Sequence, residues 1–334
     1  MSRGRFFAGA VLGVLIVAPF LPMGGMQQYV LHVVIQIFIW SFIGQAWSLM
    51  GRFGLVSLGH GAFLGVGAYT TTLLWNFYSL TPWIGALLAV AASVALAVVL
   101  GIPCFRFRVI GHYFALVTLA VGEVIRLLII AERDWTGGSL GASLKTAGTA
   151  SGLWTLQFAD KRVFYYASLA MLLAGLWVWD RVDRSMARSA LEPIGEDEMA
   201  AASVGIHVTR FKLGITVVSA ALTALGGVLY AQYISYVNPD TLSGIGVSLK
   251  IVFAVVLGGM YSLMGPLVGT ALTTALAEGL RIAFGLKFLG MADTIYGLLL
   301  IIFIIFLPSG IYGSIREAIR RRSSKAAPAV GVRS

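Results

Sequence analysis

The chain has 334 residues, 58% of them hydrophobic and 11% charged, with a formal net charge of +10 and a mean hydropathy of +0.89. A soluble domain carries roughly 25% charged residues, so this composition excludes a soluble globular protein, and the lack of strict two-residue alternation argues against an outer-membrane barrel. What remains is a polytopic bundle whose helices satisfy their own backbone groups, and its basic excess fits charged loops beside a membrane rather than nucleic acid.

Apolar runs long enough to cross the hydrocarbon, about 20 residues each, fall near 6–22, 29–50, 53–75, 82–104, 112–131, 162–180, 213–234, 247–264, 266–284 and 291–307, which makes ten. The first opens with the basic segment MSRGR and is similar to a signal peptide; without an A-x-A cleavage site it reads as an uncleaved span. The third is the least regular, and the eighth and ninth are parted only by 263–266. With the N-terminus inside, sixteen Lys and Arg fall on the cytoplasmic side and seven on the outer side, which predicts both termini in the cytoplasm. Residues 1–315 then form one transmembrane domain and 316–334 a basic cytoplasmic tail, with Arg320, Arg321 and Arg322 placed to meet anionic membrane lipid.

Two loops stand out. The outer one, 132–161, contains WTGGSLGASLKTAGTASG and has no core of its own; a flexible connector and a docking surface or lid both fit it. The cytoplasmic one, 181–212, is polar and carries a helix signature in LEPIGEDEMAAASVG. Pro193 suits a first helical turn. Glu196, Asp197 and Glu198 would then meet the positive end of the helix dipole, and Gly205 is a stop after Met199–Ala202.

Within the spans, GLVSLGHGAFLGVGAYTTTLL (54–74) holds five glycines. Gly61 and Gly65 form a GxxxG that lets backbones approach, and Gly59-His60-Gly61 invites a break in the helix, which membranes tolerate where protein or a cavity surrounds it. Tight packing and a pathway-lining role both remain open for this segment, and His60 reads as a hydrogen-bonded packing residue. Gly265 and Gly269 give a second GxxxG beside Pro266, as in a tight hairpin. Glu123 and Arg126, three apart on one helix face, are ionisable groups inside a span, where charges pair and face inward. They form either a structural ion pair or a polar patch along the route or its outer gate. Glu278 and Arg281 repeat the spacing nearer water.

No catalytic constellation appears. The chain lacks a P-loop, an H-E-x-x-H and clustered carboxylates, its histidines (His32, His60, His112, His207) are scattered, and the lone Cys104 forbids an internal disulfide. It therefore reads as non-enzymatic, with no metal or cofactor of its own.

Taken in order, GLVSLGHGAFLGVGAYT, YFALVTLAVGEVIRLL with TGGSLG, GEDEMAAASVGIHVTRFKL, VLGGMYSLMGP and IYGLLLIIFIIFLPSG resemble the LivM-type permease subunits of bacterial ABC importers for branched-chain amino acids. The likeness covers about residues 30–315. It implies an all-α fold of about ten transmembrane helices similar to type II ABC importers, in the bacterial inner membrane. It implies a second related permease, two cytoplasmic ATPases that carry the ATP-Mg, and a periplasmic binding protein. The 181–212 loop resembles the EAA loop that couples to the ATPase, through Glu196, Asp197, Glu198, Ala200, Ala201 and Gly205; the Glu that leads the pattern falls at Met199 here, with Glu198 one place earlier. Gly59, His60, Gly61, Gly65, Glu123 and Arg126 become candidates for the pathway or gate. Urea and short-amide importers use similar permeases, and a stand-alone secondary transporter is the rival class, although no inverted repeat is visible.

Overall fold

The computed structural model describes residues 13–20, 24–146, 148 and 152–284, with isolated positions between 294 and 311. Its helices are α1 (Gln27–Gly51), α2 (His60–Tyr78), α3 (Pro82–Arg106), α4 (Gly111–Ala131), α5 (Arg133–Thr136), α6 (Lys161–Asp183), α7 (Met186–Glu196), α8 (Glu198–Ser203), α9 (Val208–Ile234), α10 (Pro239–Leu242), α11 (Ile245–Gly258) and α12 (Gly265–Phe284). Among the described residues, seven segments are long and apolar enough to cross a membrane: α1, α3, α4, α6, α9, Pro239–Gly258 and α12. The expected first span is described only over 13–20, and the expected tenth span and the basic tail lie outside the described residues apart from isolated positions.

Several helices start where the sequence offers a reason. Pro82 opens α3, where its missing N–H would have gone unused. Asp160 caps α6 by accepting from the Arg162 amide at 2.9 Å. The hairpin of α11 and α12 is tight because Gly258, Gly265 and Gly269 leave no Cβ between the two backbones. It turns through 259–264, so the eighth span ends at Gly258, short of the expected Met264.

The third span departs most from expectation. Helix α2 begins only at His60, and residues 52–59 run without regular structure. Gly54, at φ +80°, supports the turn out of α1. Helix α2 also falls short of the other spans in apolar character, because it carries His60, Thr70, Thr71, Thr72 and Asn76. It can afford them, since α3, α4, α9 and α11 pack around it and lipid is kept away.

Two large cores hold the bundle, with a small cluster of Phe63, Ala97 and Ala220 beside them. The larger joins Ile35, Ile39, Ile43 and Trp47 of α1 to Leu64, Tyr165, Leu172, Ala231, Ile251 and Val255. The second lies toward the 181–212 loop and joins Leu49, Phe53, Phe105, Phe114 and Trp179 to Leu191, Ile194 and Ala201 of that loop. At the opposite end, the 132–161 loop is tied down: Ala142–Ser143 (β1) pairs antiparallel with Tyr236–Val237 (β2), Leu144 is buried, and Asn76 and Trp75 donate to the carbonyls of Ser143 and Lys145. This portion is thus an ordered cap over the ends of α2 and α9.

Candidate functional site

The irregular stretch 52–59 is satisfied by side chains from other helices. Trp47 Nε1 donates to the Ser57 carbonyl at 2.8 Å, the Leu58 amide donates to Thr118 Oγ1 at 3.0 Å, and the Gly61 amide donates to Ser248 Oγ at 2.9 Å. Every unpaired backbone group would cost free energy here, so these bonds make the break stable. Gly59 lies directly on α4: an added Cβ would fall on the Thr118 carbonyl oxygen, and Gly122 of α4 has its own Cβ position 3.2 Å from the Gly59 Cα. Gly61 and Gly65 face the other way, toward Leu242, Ser243 and Ser248.

His60 is fully buried, with Nε2 2.9 Å from Ser219 Oγ. Ser219 Oγ gives its single proton to the Ala46 carbonyl at 2.6 Å. His60 must therefore be the donor at Nε2, and its Nδ1 is left without a partner. The imidazole ties α2 to α1 and α9, as its reading as a packing residue requires.

Toward the other end of α4, Arg126 Nε lies 3.0 Å from both Glu123 oxygens, and Nη2 lies 2.5 Å from Oε1. The pair has a third member that spacing could not show. Arg126 Nη1 donates to Asp240 Oδ1 of α10 at 2.6 Å. One guanidinium thus bridges a membrane span to the short helix that leads into α11. All three side chains keep partial access to solvent.

The 181–212 loop folds as two helices rather than one. Ser185 caps α7 early, accepting from the Ala187 amide at 3.3 Å, so Pro193 falls in the last half of α7 and not in a first turn. Glu196 then ends α7, at the negative end of its dipole, contrary to expectation. Asp197 is extended at φ −150° and caps α8 through the amides of Met199 (2.8 Å) and Ala200 (3.1 Å). Gly205, at φ +88°, ends α8 as expected: its amide donates to Ala202 O and that of Ile206 to Ala201 O, the paired closure that a left-handed residue permits.

The pair of helices is anchored on one side and open on the other. Ala201 is buried in the second core, and Glu198 forms an ion pair with the buried Lys212 of α9. Met199, Ala200, Ser203, Val204 and Gly205 are exposed. Gly195 sits on the start of the irregular stretch, with its Cβ position 3.1 Å from the Phe53 carbonyl. Arg52 Nη1 donates to Asp183 at 3.0 Å, while Arg188 bonds both Asp183 (2.9 Å) and Glu192 (2.7 Å). Burial pulls the Arg52 guanidinium below the ordinary arginine value, and Asp183 pulls it back. Its Cζ lies over the Trp179 ring, 4.0 Å from the centroid.

The family of branched-chain amino acid transport system permease components matches residues 29–307. The chain belongs to this permease family. The LivM permease protein of the Salmonella typhimurium high-affinity branched-chain amino acid transport system is 29% identical over 97% of this chain and 78% of its own length. The Escherichia coli K12 LivM protein is 30% identical over 83% and 68%, respectively. The LivH permease protein of E. coli K12 is 23% identical over 86% of this chain and 98% of its own. No solved structure matches.

In this permease the structure gathers the expected pathway residues into two places. Gly59, His60, Gly61 and Gly65 lie at the start of α2, and Glu123 and Arg126 lie farther along α4. Of the expected coupling residues, Asp197, Glu198, Ala200 and Gly205 belong to α8 or its ends, Glu196 to α7, and Ala201 turns inward. Sequence reading missed Asp240, Lys212, Arg52, Ser219 and Ser248. Only Lys212 left a signal: a lysine at the start of a span calls for a carboxylate partner. Among the described residues no cluster of His, Cys, Asp and Glu could hold a metal.

Proposed function

We propose that this permease is one of two related membrane subunits of an ABC importer that carries leucine, isoleucine and valine inward across the bacterial inner membrane. About ten spans in a type II arrangement would place both termini and the 181–212 loop in the cytoplasm. A periplasmic binding protein would deliver the substrate, and two cytoplasmic ATPases would bind and hydrolyse ATP-Mg, which this chain has no P-loop to do.

The observation that carries this reading is the loop itself. Helices α7 and α8 present an exposed face while their underside is fixed to the second core and, through Gly195, to Phe53. A push on that face is transmitted to the irregular stretch 52–59, and from there to Thr118 of α4 and His60 of α2. Such a device biases two states of the pathway when a motor binds them unequally. Glu123, Arg126 and Asp240 would form a latch near the outer mouth, since their bond joins α4 to α10.

The test is purification of the assembly through a tag on this chain, followed by uptake in proteoliposomes. The expected result is a copurifying second permease and a P-loop ATPase, with ATP-dependent leucine uptake inhibited by isoleucine and valine. Uptake driven by an ion gradient without ATP would overturn the proposal, and ATP-dependent uptake of urea instead of leucine would replace the substrate.

A further inference from the structure

A cavity of about 760 Å³ lies apart from the pathway residues. It lies where α3 ends, α4 has not yet begun and α9 starts, on the side that carries α8. Its depth is apolar, lined by Phe105 and Leu213, and its rim carries Arg106, Arg108, His207 and Arg210. Glu198 is the one carboxylate among the lining residues, and it is already held by Lys212. Among the described residues Arg106, Arg108 and Arg210 have no carboxylate within ion-pair distance.

Three local features aim positive charge into this space. Arg108 holds a left-handed backbone, φ +54°, a conformation costly for a side chain with a Cβ and kept where the surroundings impose it. Its Nη1 reaches Met199 Sδ of α8 at 3.1 Å, which ties the connection between α3 and α4 to α8 beside the cleft. The 27-residue helix α9 begins at Val208, and its N-cap His207 makes no side-chain cap; an uncapped helix start favours an anion. The surface beside the cleft is apolar: Val99, Ile102, Phe107, Ile110 and Tyr113 of α3, α4 and their connection are all exposed. That surface continues up α3, a membrane-crossing helix that packs against α2 and α9 and keeps one face uncovered by protein.

We propose that this cleft binds the headgroup of an anionic phospholipid, with the phosphate between Arg106, Arg108 and Arg210 and the acyl chains along Val99, Ile102 and Phe107. A cationic rim, an apolar floor and a lateral opening onto a lipid-facing helix suit a phospholipid. An inorganic phosphate would leave most of the volume and all of the apolar surface unused. One wall of the cleft is Ala202 and Gly205 of α8. A bound lipid would therefore brace α8 against α3 and α9.

The test is lipid binding by the purified full chain, read by native mass spectrometry while dioleoyl phosphatidylglycerol or dioleoyl phosphatidylcholine is titrated. It does not depend on transport, so its failure is separate from failure of the importer reading. Each arginine near a membrane surface contributes about fivefold to anionic-lipid affinity. Wild-type protein should prefer phosphatidylglycerol, and Arg106→Gln, Arg108→Gln and Arg210→Gln should each weaken it about fivefold, with the triple variant down about 100-fold. Excess inorganic phosphate should not displace the lipid. Equal binding of the two lipids, unchanged affinity in the triple variant, or displacement by phosphate would each overturn the proposal. Unchanged lipid affinity with loss of a copurifying ATPase would make the cleft a protein-docking site instead. If the triple variant does not fold, the three single variants decide the matter by the same criterion.

Discussion

The contact between Gly59 and α4 gives the sharpest test of the structure. At Gly59 the backbone is at φ −108°, a conformation that alanine accepts, so Gly59→Ala introduces no backbone strain. Its effect is steric alone: the new methyl would land on the Thr118 carbonyl oxygen, which belongs to the backbone of a 21-residue helix and cannot rotate away. Overpacking costs about 1–3 kcal/mol, and a backbone neighbour puts this substitution at the upper end, about 3 kcal/mol. The melting temperature should therefore fall clearly below that of the controls, by less per kcal/mol than in a small domain. Two controls grade the argument. Gly122→Ala places its methyl 3.2 Å from the Gly59 Cα, a contact that a shift of a few tenths of an ångström relieves, and alanine returns about 0.5–1 kcal/mol of helix propensity. Gly13→Ala meets nothing within 4 Å and should be neutral or slightly stabilising. Thermal unfolding of the three purified variants should therefore rank Gly13→Ala, Gly122→Ala, Gly59→Ala from highest to lowest. A Gly59→Ala protein melting within about 2 °C of the Gly13→Ala protein would refute the close approach of the irregular stretch to α4.

Removal of Arg126 leaves Glu123 and Asp240 without their shared cation, whereas removal of Glu123 leaves the Arg126–Asp240 bond. Arg126→Gln should thus lower uptake more than Glu123→Gln, and Arg126→Gln/Asp240→Asn should recover part of the loss at equal membrane abundance; a Glu123→Gln defect as severe as that of Arg126→Gln would contradict the three-member arrangement. Gly205 has open space around it but a left-handed backbone, so Gly205→Ala and Gly205→Trp share the same strain and differ in bulk. Only the tryptophan should abolish uptake and substrate-stimulated ATPase activity with normal membrane levels, and equal uptake by the two would remove α8 from the coupling surface. Ser189 and Ser203 are exposed and Cys104 is buried. Single cysteines at those serines, in a Cys104→Ala background, should react with an impermeant thiol reagent in inverted vesicles and resist it in intact cells, and labelling of intact cells would reverse the proposed orientation.

The sequence by itself determined the class of protein and the placement of most spans. An apolar run of about 20 residues can lower its free energy in a bilayer only as a helix, whatever surrounds it. Local rules were equally legible: the i, i+3 pairing of Glu123 with Arg126 is built into helix geometry, and Gly205 ends α8 because few other residues accept a left-handed backbone. The tertiary structure decided what depends on partners distant in the chain. Helix α2 starts at His60 rather than near 53 because Trp47 and Thr118 supply hydrogen bonds to an irregular backbone that lipid alone would forbid, and Ser248 satisfies the Gly61 amide in the first turn of α2. Asp240 joins Arg126 across 114 positions, and Lys212 neutralises Glu198 across 14. Ala201 is pulled inward although its neighbour Ala200 is exposed, because the second core covers one face of α8. Helix periodicity sets which residues share a face, but only packing chooses which face is buried and which charges meet.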